Sequence, residues 1–359
     1  MCRLSIFILI FILTVMNSAV AEPRSGESQR EGQLKVVTYN HALLNFKNPL
    51  RSVYVPMRES RSKAAPKVWS EFLAQNQPDA VLLQEIWYRN DYRRLAEAFK
   101  LQGYSPVVLD HQVPKYKRRF GIRGHGLQIF LRDETLELIS GDYRPFEDAQ
   151  GEPIIGELEN FSALYYKVRV KRGTLLAKVR LRQHAGSPEI TMVTTHLTSR
   201  LEEQAVRSAQ VQSLSDILAD LDEGQNTLVL GADLNFSPNF ERAREEDVPG
   251  YQLNAQQYST FLDQSKMADS YRTAERVEGY EFTQDLRHNV LARRGVSTKS
   301  EPDQRLDYIF LKRAKAKMYQ TVFSERSIKV RRKKFQNRIP MSDHFGVMVE
   351  CRVPLATTN

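Results

Sequence analysis

Polar and acidic residues stand at the ends of apolar, strand-like runs in this sequence. They follow or interrupt the segments LKVVTYN, DAVLLQE, ITMVTTH, TLVLGADLN, RLDYIF and SDHFGVMV. The residues are Asn40, Glu85, His196, Asp233, Asn235, Asp307, Asp343 and His344. One such residue alone is usually a turn or capping residue. An unpaired carboxylate within an apolar strand, as at Asp307, is costly and so requires a partner.

Taken together, these residue types fit one chemistry. A glutamate supplies hard oxygen ligands of the kind that Mg²⁺ prefers. A histidine held by an aspartate can take a proton from water near neutral pH. An asparagine and a second histidine can donate hydrogen bonds to a phosphoryl group that gains charge. The set therefore predicts metal-assisted hydrolysis of a phosphate ester. Zinc is disfavoured because the sequence has no cysteine cluster and no HExxH motif.

Short strand-like runs alternate with helical patterns along the chain. The predicted strands are 34–38, 80–84, 127–131, 162–170, 174–181, 190–195, 227–230, 306–311 and 345–353. The predicted helices are 67–76, 92–101 and 201–221. The tripeptide Lys-Arg-Gly at 171–173 predicts a hairpin over 162–181, and polar composition predicts long loops at 236–260 and 285–304. This mixture predicts an α/β sandwich.

The N-terminal residues have the pattern of a secretory signal. An apolar run over 4–16 precedes the small-residue pattern Ala19-Val20-Ala21. The run is short for a membrane span, which needs about 20 residues. We therefore expect a signal peptide at 1–21 cleaved after Ala21, and a secreted or periplasmic protein. A polar lead-in at 22–33 and a single catalytic domain at 34–356 would follow. Cys351 would then be the only cysteine and could form no intramolecular disulfide.

The chain is basic, with a formal net charge of +9 that falls to +8 if residues 1–21, which contain Arg3, are removed. A dense cationic run, Arg331, Arg332, Lys333 and Lys334, lies shortly before the Ser-Asp-His segment. Such charge suits nucleic acid or an anionic membrane, although it is also compatible with a solvated loop. We assign the run as candidate substrate-binding residues. No protein partner is indicated, and we expect a monomer.

Six segments match, in order, the motifs of the endonuclease/exonuclease/phosphatase (DNase I-like) superfamily. They are TYN at 38–40, LLQE at 82–85, THL at 195–197, GADLN at 231–235, RLDYIF at 305–310 and SDH at 342–344. The resemblance implies a four-layer α/β sandwich of two mixed β-sheets flanked by helices, with one site at the rim of the sheets. It also implies Mg²⁺ as cofactor, with Mn²⁺ or Co²⁺ as substitutes.

The resemblance carries roles onto individual residues. Glu85 resembles the metal ligand, with Asn40 beside it, and Asp343 resembles an aspartate tied to the metal site. Asp233 and Asn235 match the Asp-x-Asn that orients the nucleophile and the phosphate.

The remaining roles concern the proton and the phosphate. His344 matches the general base, Asp307 the carboxylate that orients it, and His196 a phosphate-binding histidine. The implied reaction is in-line attack of water on phosphorus.

Looser matches within the superfamily resemble the neutral sphingomyelinases. They are QEIW at 84–87, GHGLQIF at 124–130 and the segment 159–181, which resembles a Lys-Gly-rich hairpin. They favour a sphingomyelin phosphodiesterase that releases phosphocholine, with a phospholipid surface as partner. A secreted DNase I-like endonuclease is the alternative, and a phosphoinositide or other phosphomonoester phosphatase is the second. A non-catalytic binding module is disfavoured because the motif set is complete.

Overall fold

Two mixed β-sheets form the centre of the structure. The computed structural model describes residues 31–44, 46–48, 51–53, 55–107, 125–161, 166–184, 187–222, 226–241, 243–294, 302–329 and 338–355. The strands are β1 (Glu31–Asn40), β2 (Phe46–Asn48), β3 (Arg51–Val53), β4 (Ala80–Gln84), β5 (Tyr104–Pro106), β6 (Gln128–Arg132), β7 (Leu136–Pro145), β8 (Ile155–Phe161), β9 (Tyr166–Lys171), β10 (Gly173–Leu181), β11 (Ile190–His196), β12 (Thr227–Asp233), β13 (Phe240–Glu241), β14 (Ala268–Asp269), β15 (Arg276–Glu278), β16 (Asp303–Gln304), β17 (Asp307–Lys312), β18 (Lys315–Val322), β19 (Ser327–Lys329), β20 (Arg338–Pro340) and β21 (Gly346–Pro354). The helices are α1 (Arg58–Asn76), α2 (Arg89–Lys100), α3 (Gln204–Asp222), α4 (Val248–Ser265), α5 (Ser270–Thr273) and α6 (Val290–Arg294).

The first sheet has seven strands in the order β15-β18-β21-β1-β4-β6-β5, and the second has six in the order β14-β17-β12-β11-β10-β7. Strand β1 shows why both faces of the first sheet are covered. Leu34 and Val36 point into the core between the sheets, whereas Val37 and Tyr39 point into the core beneath the helices. A strand with apolar residues on both sides reads as a continuous apolar run rather than an alternating one.

Helices close the two outer faces. On the first sheet, α1 and α2 contribute Trp69, Phe72 and Phe99 to an outer core. On the second, α3 and α4 contribute Leu214 and Phe261 to another. The order of layers is therefore helices, sheet, sheet, helices. The predicted four-layer α/β sandwich is confirmed.

The predicted hairpin over 162–181 is wrong. Strand β9 pairs with β8 in a separate two-stranded ribbon, whereas β10 lies between β7 and β11 in the six-stranded sheet. Residues 171–173 therefore carry the chain from one sheet to another instead of making a tight turn. The sequence suggested a hairpin because two strand patterns adjoin a glycine, and pairing with more distant strands overrides that local signal.

The predicted loop at 236–260 is also wrong over its second half, where α4 begins at Val248. The polar composition of the segment indicated a loop, whereas Pro249 is favourable in the first turn of a helix. The apolar stripe is interrupted by the buried Asn254 between Tyr251 and Tyr258. Within the predicted loop 285–304, the structure has the short helix α6 and the strand β16.

Several element ends differ from the predicted ones. Strand β1 begins at Glu31, so residues 31–33 of the predicted lead-in belong to the sheet. Helix α1 begins at Arg58 rather than at residue 67 and contains Pro66. The predicted signal peptide at 1–21 and the cationic run 331–334 lie outside the described residues. Among the helices that the structure describes, none combines the length and the apolar character that crossing a bilayer requires.

Candidate active site

Three neighbouring strands of the second sheet end in polar residues that lie in one row. His196 at the end of β11 is in register with Asp233 at the end of β12, and Asp233 is in register with Asp307 at the start of β17. In the first sheet, Asn40 at the end of β1 is in register with Gln84, which directly precedes Glu85. Pairing of the strands thus brings residues distant in sequence to one rim of the sandwich.

Asn40 joins the two sheets at this rim. Its side-chain nitrogen donates a 2.7 Å hydrogen bond to Oδ2 of Asp233, while its oxygen accepts from the main chain of Ala42 at 2.8 Å. The other oxygen of Asp233 accepts a 3.0 Å hydrogen bond from the main chain of Asn235. Both carboxylate oxygens of Asp233 are therefore fixed in direction.

His344 and Asp307 form a closely bonded pair. The imidazole Nδ1 lies 2.7 Å from Oδ2 of Asp307, and it lies 3.9 Å from Oδ2 of Asp233. The main chain of His344 donates to the hydroxyl of Ser342 at 3.2 Å. This geometry leaves Nε2 of His344 to act on a substrate or a water molecule, as a general base requires.

The carboxylates around His344 and Asp307 change the pKa of the groups at the site. Burial alone would lower the pKa of His344, but Asp307, Asp233 and Asp343 raise that pKa well above its usual range. Burial, followed by the charge of Asp307, raises the pKa of Asp233 to about 7. Like charges confined together disfavour the ionised form of each. The site is therefore an acidic cluster whose carboxylates would repel one another less if a cation were bound among them.

Glu85 lies on the side of the site towards the first sheet. Its backbone adopts φ of 60°, a left-handed conformation that is uncommon for a residue with a side chain and is concentrated at functional sites. The side chain keeps 18% of its surface accessible. Burial and then Asp343 raise the pKa of Glu85. A carboxylate that is crowded by negative charge but reachable from solvent fits a divalent cation.

Two sets of residues at the rim could bind a metal ion. The predicted set is Glu85, Asn40 and Asp343, whereas Asp233, Asp307 and His344 form a compact group with ligand atoms within 4.8 Å of one another. The hydrogen bond between Asp307 and His344 makes that pair better suited to moving a proton than to binding metal. The predicted set of Glu85, Asn40 and Asp343 would offer hard oxygen donors, the kind that Mg²⁺ takes, and it stays a prediction.

His196 faces both carboxylate groups without a short bond to either. Its Nε2 lies 3.6 Å from Oδ2 of Asp233 and 3.9 Å from Oε1 of Glu85. Burial, with the positive charges of Arg172 and His344, lowers the pKa of His196 well below its usual range. His196 is therefore neutral and can donate one hydrogen bond to a phosphate oxygen.

Sequence reasoning missed residues that support the site. The Thr283 hydroxyl accepts hydrogen bonds from the main chain of Leu306 and Asp307 at 3.0 and 3.1 Å, and so fixes the start of β17. The side-chain nitrogen of Gln84 donates to Thr194 at 2.9 Å, across the two sheets. Gln84 could have been found as a polar residue inside an apolar strand. Thr283 has no such signal.

Arg172 is a further residue that sequence reasoning did not assign to the site. Only 5% of its surface is accessible, and Nη1 donates a 2.8 Å hydrogen bond to the main-chain oxygen of His196. Its signal in the sequence was a charged residue directly before the glycine that begins a strand.

All eight predicted catalytic and metal-binding residues lie at this rim, and their individual roles remain predictions. The substrate-binding assignment of Arg331, Arg332, Lys333 and Lys334 falls outside the described residues.

Several solved structures are similar to this chain. An endonuclease/exonuclease/phosphatase family protein from Bacteroides thetaiotaomicron has a TM-score of 0.60 at 16% identity, covering 91% of this chain and 100% of that one. Sphingomyelinase C from Streptomyces griseocarneus has a TM-score of 0.58 at 18% identity, covering 89% and 99%. Mannosyl-6-phosphatase from Bacteroides thetaiotaomicron has a TM-score of 0.58 at 17% identity, covering 89% and 99%. At these identities the likeness shows the fold alone.

Sequence comparison gives the family directly. No curated protein matches the sequence significantly, but residues 38–344 match the Endonuclease/Exonuclease/phosphatase family. This span begins at the TYN segment and ends at His344, so it includes every predicted catalytic and metal-binding residue. Members of this family hydrolyse phosphate esters and generally depend on a divalent metal. The chain belongs to the endonuclease/exonuclease/phosphatase family.

Proposed function

We propose that the protein is a Mg²⁺-dependent phosphodiester hydrolase that cleaves sphingomyelin into ceramide and phosphocholine. One observation carries the phosphodiester hydrolysis: the 2.7 Å pairing of His344 with Asp307 beside Asp233 and His196. This arrangement supplies a base, the carboxylate that orients it and a hydrogen-bond donor for the substrate phosphate within one site. Similarity to the sphingomyelinase branch at 84–87 and 124–130, together with the fold of sphingomyelinase C, supports the lipid substrate.

The residues divide the reaction among them. His344 Nε2 takes a proton from a water molecule that Asp233 orients, while Asp307 stabilises the imidazolium that forms. The water oxygen forms a bond to phosphorus, the bond from phosphorus to the ceramide oxygen breaks, and that oxygen takes a proton from solvent water. His344 then returns to solvent the proton that it took from the attacking water. His196 and Asn235 donate to phosphate oxygens as their charge increases. A bound divalent cation would neutralise the phosphate oxygens and, by adding positive charge, bring the pKa of His344 back towards neutrality.

A direct comparison of substrates tests the proposal. Purified protein is incubated with Mg²⁺ and with sphingomyelin vesicles, phosphatidylcholine vesicles, plasmid DNA or a sugar phosphomonoester. We expect phosphocholine release from sphingomyelin, inhibition by EDTA, and little action on the other three. His344→Ala is the matched control, which should fold normally and lose turnover by roughly 10²- to 10⁴-fold.

The other outcomes are equally decisive. Rapid nicking of plasmid DNA without lipid cleavage would exclude the sphingomyelin proposal and favour an endonuclease. Release of inorganic phosphate from the sugar ester alone would favour a phosphomonoesterase, the activity that the name of mannosyl-6-phosphatase states for that protein. Near-normal turnover by His344→Ala would refute the assignment of the base.

We further propose that the enzyme is exported as a monomer and works at a phospholipid surface. The signal-like residues 1–21 and the basic composition support this, since an excess of positive charge favours an anionic surface. Mass measurement of protein recovered outside the cytoplasm should give a chain that begins at Glu22. An intact N-terminus in that fraction would contradict cleavage after Ala21.

A further inference from the structure

Among the described residues, Arg172 makes fewer hydrogen bonds than the other buried arginines. Four arginines are buried among the described residues: Arg61, Arg172, Arg207 and Arg305. Arg61 donates to five main-chain oxygens, Arg207 to four oxygen partners, and Arg305 makes two hydrogen bonds to Asp269. For Arg172 the described residues supply one hydrogen bond, to the main chain of His196; its buried Nε, like that of Arg305, has no partner among them.

A buried guanidinium with so few partners is costly. The desolvation of a charged group is recovered only when its donors are bonded or an opposite charge lies close. No carboxylate of the described residues forms an ion pair with Arg172. The carboxylates that act on it through their charge are Glu85 and Asp233 of the site, followed by Glu203. The Arg172 guanidinium therefore has unused hydrogen-bonding capacity at the rim where the substrate phosphate is expected.

The local structure fixes the position of Arg172. Its main-chain oxygen accepts from Phe146 at 2.9 Å, and the oxygen of the next residue, Gly173, accepts from the Thr195 hydroxyl at 2.8 Å. A Cβ at Gly173 would lie 2.3 Å from the main-chain oxygen of Arg144, so only glycine allows this approach. Arg172 is thus anchored beside His196 by backbone contacts on both sides.

We propose that Arg172 binds a non-bridging oxygen of the substrate phosphate and stabilises the negative charge that this oxygen gains during the reaction. The proposal rests on the phosphodiester hydrolysis proposed above. It adds a charged donor to the neutral donors His196 and Asn235. A guanidinium is suited to this task because it stays protonated and presents several donors in a fixed plane to phosphate.

Binding of inorganic phosphate tests the proposal without turnover. Titration calorimetry in Mg²⁺ buffer compares wild type with Arg172→Gln, Arg172→Lys and Arg180→Gln. Arg180 lies on the adjoining strand β10 but is partly exposed and paired with Glu189, so Arg180→Gln should bind like wild type. We expect Arg172→Gln to bind phosphate about 10- to 100-fold more weakly, the range for a lost hydrogen bond to a charged group. Arg172→Lys should lie between, because it keeps the charge but not the planar donor.

Turnover gives a second readout. With the phosphodiester that wild type cleaves, Arg172→Gln should lower kcat by about 10²- to 10³-fold and change KM less, as expected for a donor that strengthens in the transition state. If wild type cleaves no phosphodiester, the proposed function fails, whereas the phosphate titration still decides the role of Arg172.

Clear results would overturn the proposal. A folded Arg172→Gln protein that binds phosphate within about threefold of wild type would show that Arg172 is structural, since a lost charged hydrogen bond costs more than that. If the Arg172 variants do not fold, the side-chain Nε–H resonance of Arg172 in ¹⁵N-labelled wild type is followed instead. That resonance should shift on addition of phosphate with Mg²⁺, and an unchanged resonance would contradict direct binding.

Discussion

At the scale of single residues, His41 is an imidazole that the fold keeps neutral. It is fully buried, and its Nε2 accepts a 2.6 Å hydrogen bond from the indole of Trp69. Burial, with the nearby charge of Arg61, lowers the pKa of His41 from 6.5 to about 3. The acceptor role of Nε2 requires the unprotonated ring, so protonation would break the bond to Trp69.

This depressed pKa predicts a loss of stability in acid. Below pH 6.5 the unfolded chain binds a proton at His41, whereas the folded protein does not until about pH 3. The free energy of unfolding should therefore fall as the pH decreases across that window. His41→Gln keeps an acceptor for Trp69 and does not titrate, so it should lose less stability in acid. Urea unfolding at neutral pH and near pH 4.5 measures the difference between the two proteins. Equal losses in wild type and variant would contradict this explanation.

At the scale of elements, Arg61 on α1 connects three separate segments. Its guanidinium donates to main-chain oxygens of Val55 and Pro56 before the helix, of His41 and Ala42 after β1, and of Met341 shortly before His344. The helix thereby holds the loop next to Asn40 against the loop that carries the predicted base.

Replacement of Arg61 should lower the free energy of unfolding and disturb the two loops that this residue joins at the site. Arg61→Lys keeps the charge but can satisfy fewer of the five oxygens, and each buried carbonyl left without a donor costs about 1–3 kcal/mol. We expect a loss of roughly 3 kcal/mol or more in chemical denaturation. Arg93→Lys, an exposed arginine on α2, is the matched control and should change stability by less than about 0.5 kcal/mol. A similar small effect of Arg61→Lys would mean that water replaces the lost donors.

Elements also show how far the sequence could predict the structure. Buried strands such as β4 and β12 were evident because each is an uninterrupted apolar run between polar turns. Strand β18 was missed, since the alternating residues of KAKMYQTV place lysines on its exposed face. Helix α4 was hidden by the buried Asn254 in its apolar stripe. In α4 the Asn254 side chain accepts a hydrogen bond from the buried Arg207, a tertiary contact that a local pattern does not show.

The candidate site was more predictable than the pairing of strands. Its residues are constrained by chemistry, which restricts both their type and their place at strand ends. Arg172 was not predicted from the sequence because its proposed role depends on how few partners it has, and those partners are known only from the structure. The position of β10 in the six-stranded sheet likewise depends on a strand distant in sequence, β7, whose Leu136 pairs with Leu181.

At the scale of the whole molecule, charge is distributed unevenly. The chain carries a net +9, yet Glu85, Asp233, Asp307 and Asp343 are gathered at one rim. Burial and mutual repulsion raise the pKa of Glu85 and of Asp233. The fold therefore keeps a locally unfavourable cluster whose energy improves when a cation binds.

This arrangement predicts opposite effects of one substitution with and without metal. Without Mg²⁺, Glu85→Gln should raise the melting temperature, because it removes a repelling charge. With saturating Mg²⁺, wild type should gain about 2.7 kcal/mol at 100 times the Kd, and Glu85→Gln should gain much less. Differential scanning calorimetry with EDTA or Mg²⁺ measures both changes. Asp142→Asn, at an exposed site on β7, should respond to Mg²⁺ like wild type. An undiminished Mg²⁺ response in Glu85→Gln would remove Glu85 from the metal site.

The pairing of β1 with β21 has a consequence for the order of events during synthesis. Strand β1 is central in the first sheet, held on one side by β4 and on the other by β21, with Glu31 opposite Pro354. The ribosome makes β1 first among the described strands and β21 last. The first sheet therefore cannot close until β21 has emerged, and this closure forms contacts of very long sequence separation, which slow folding. Completion of the sheet is thus tied to the synthesis of its last strand.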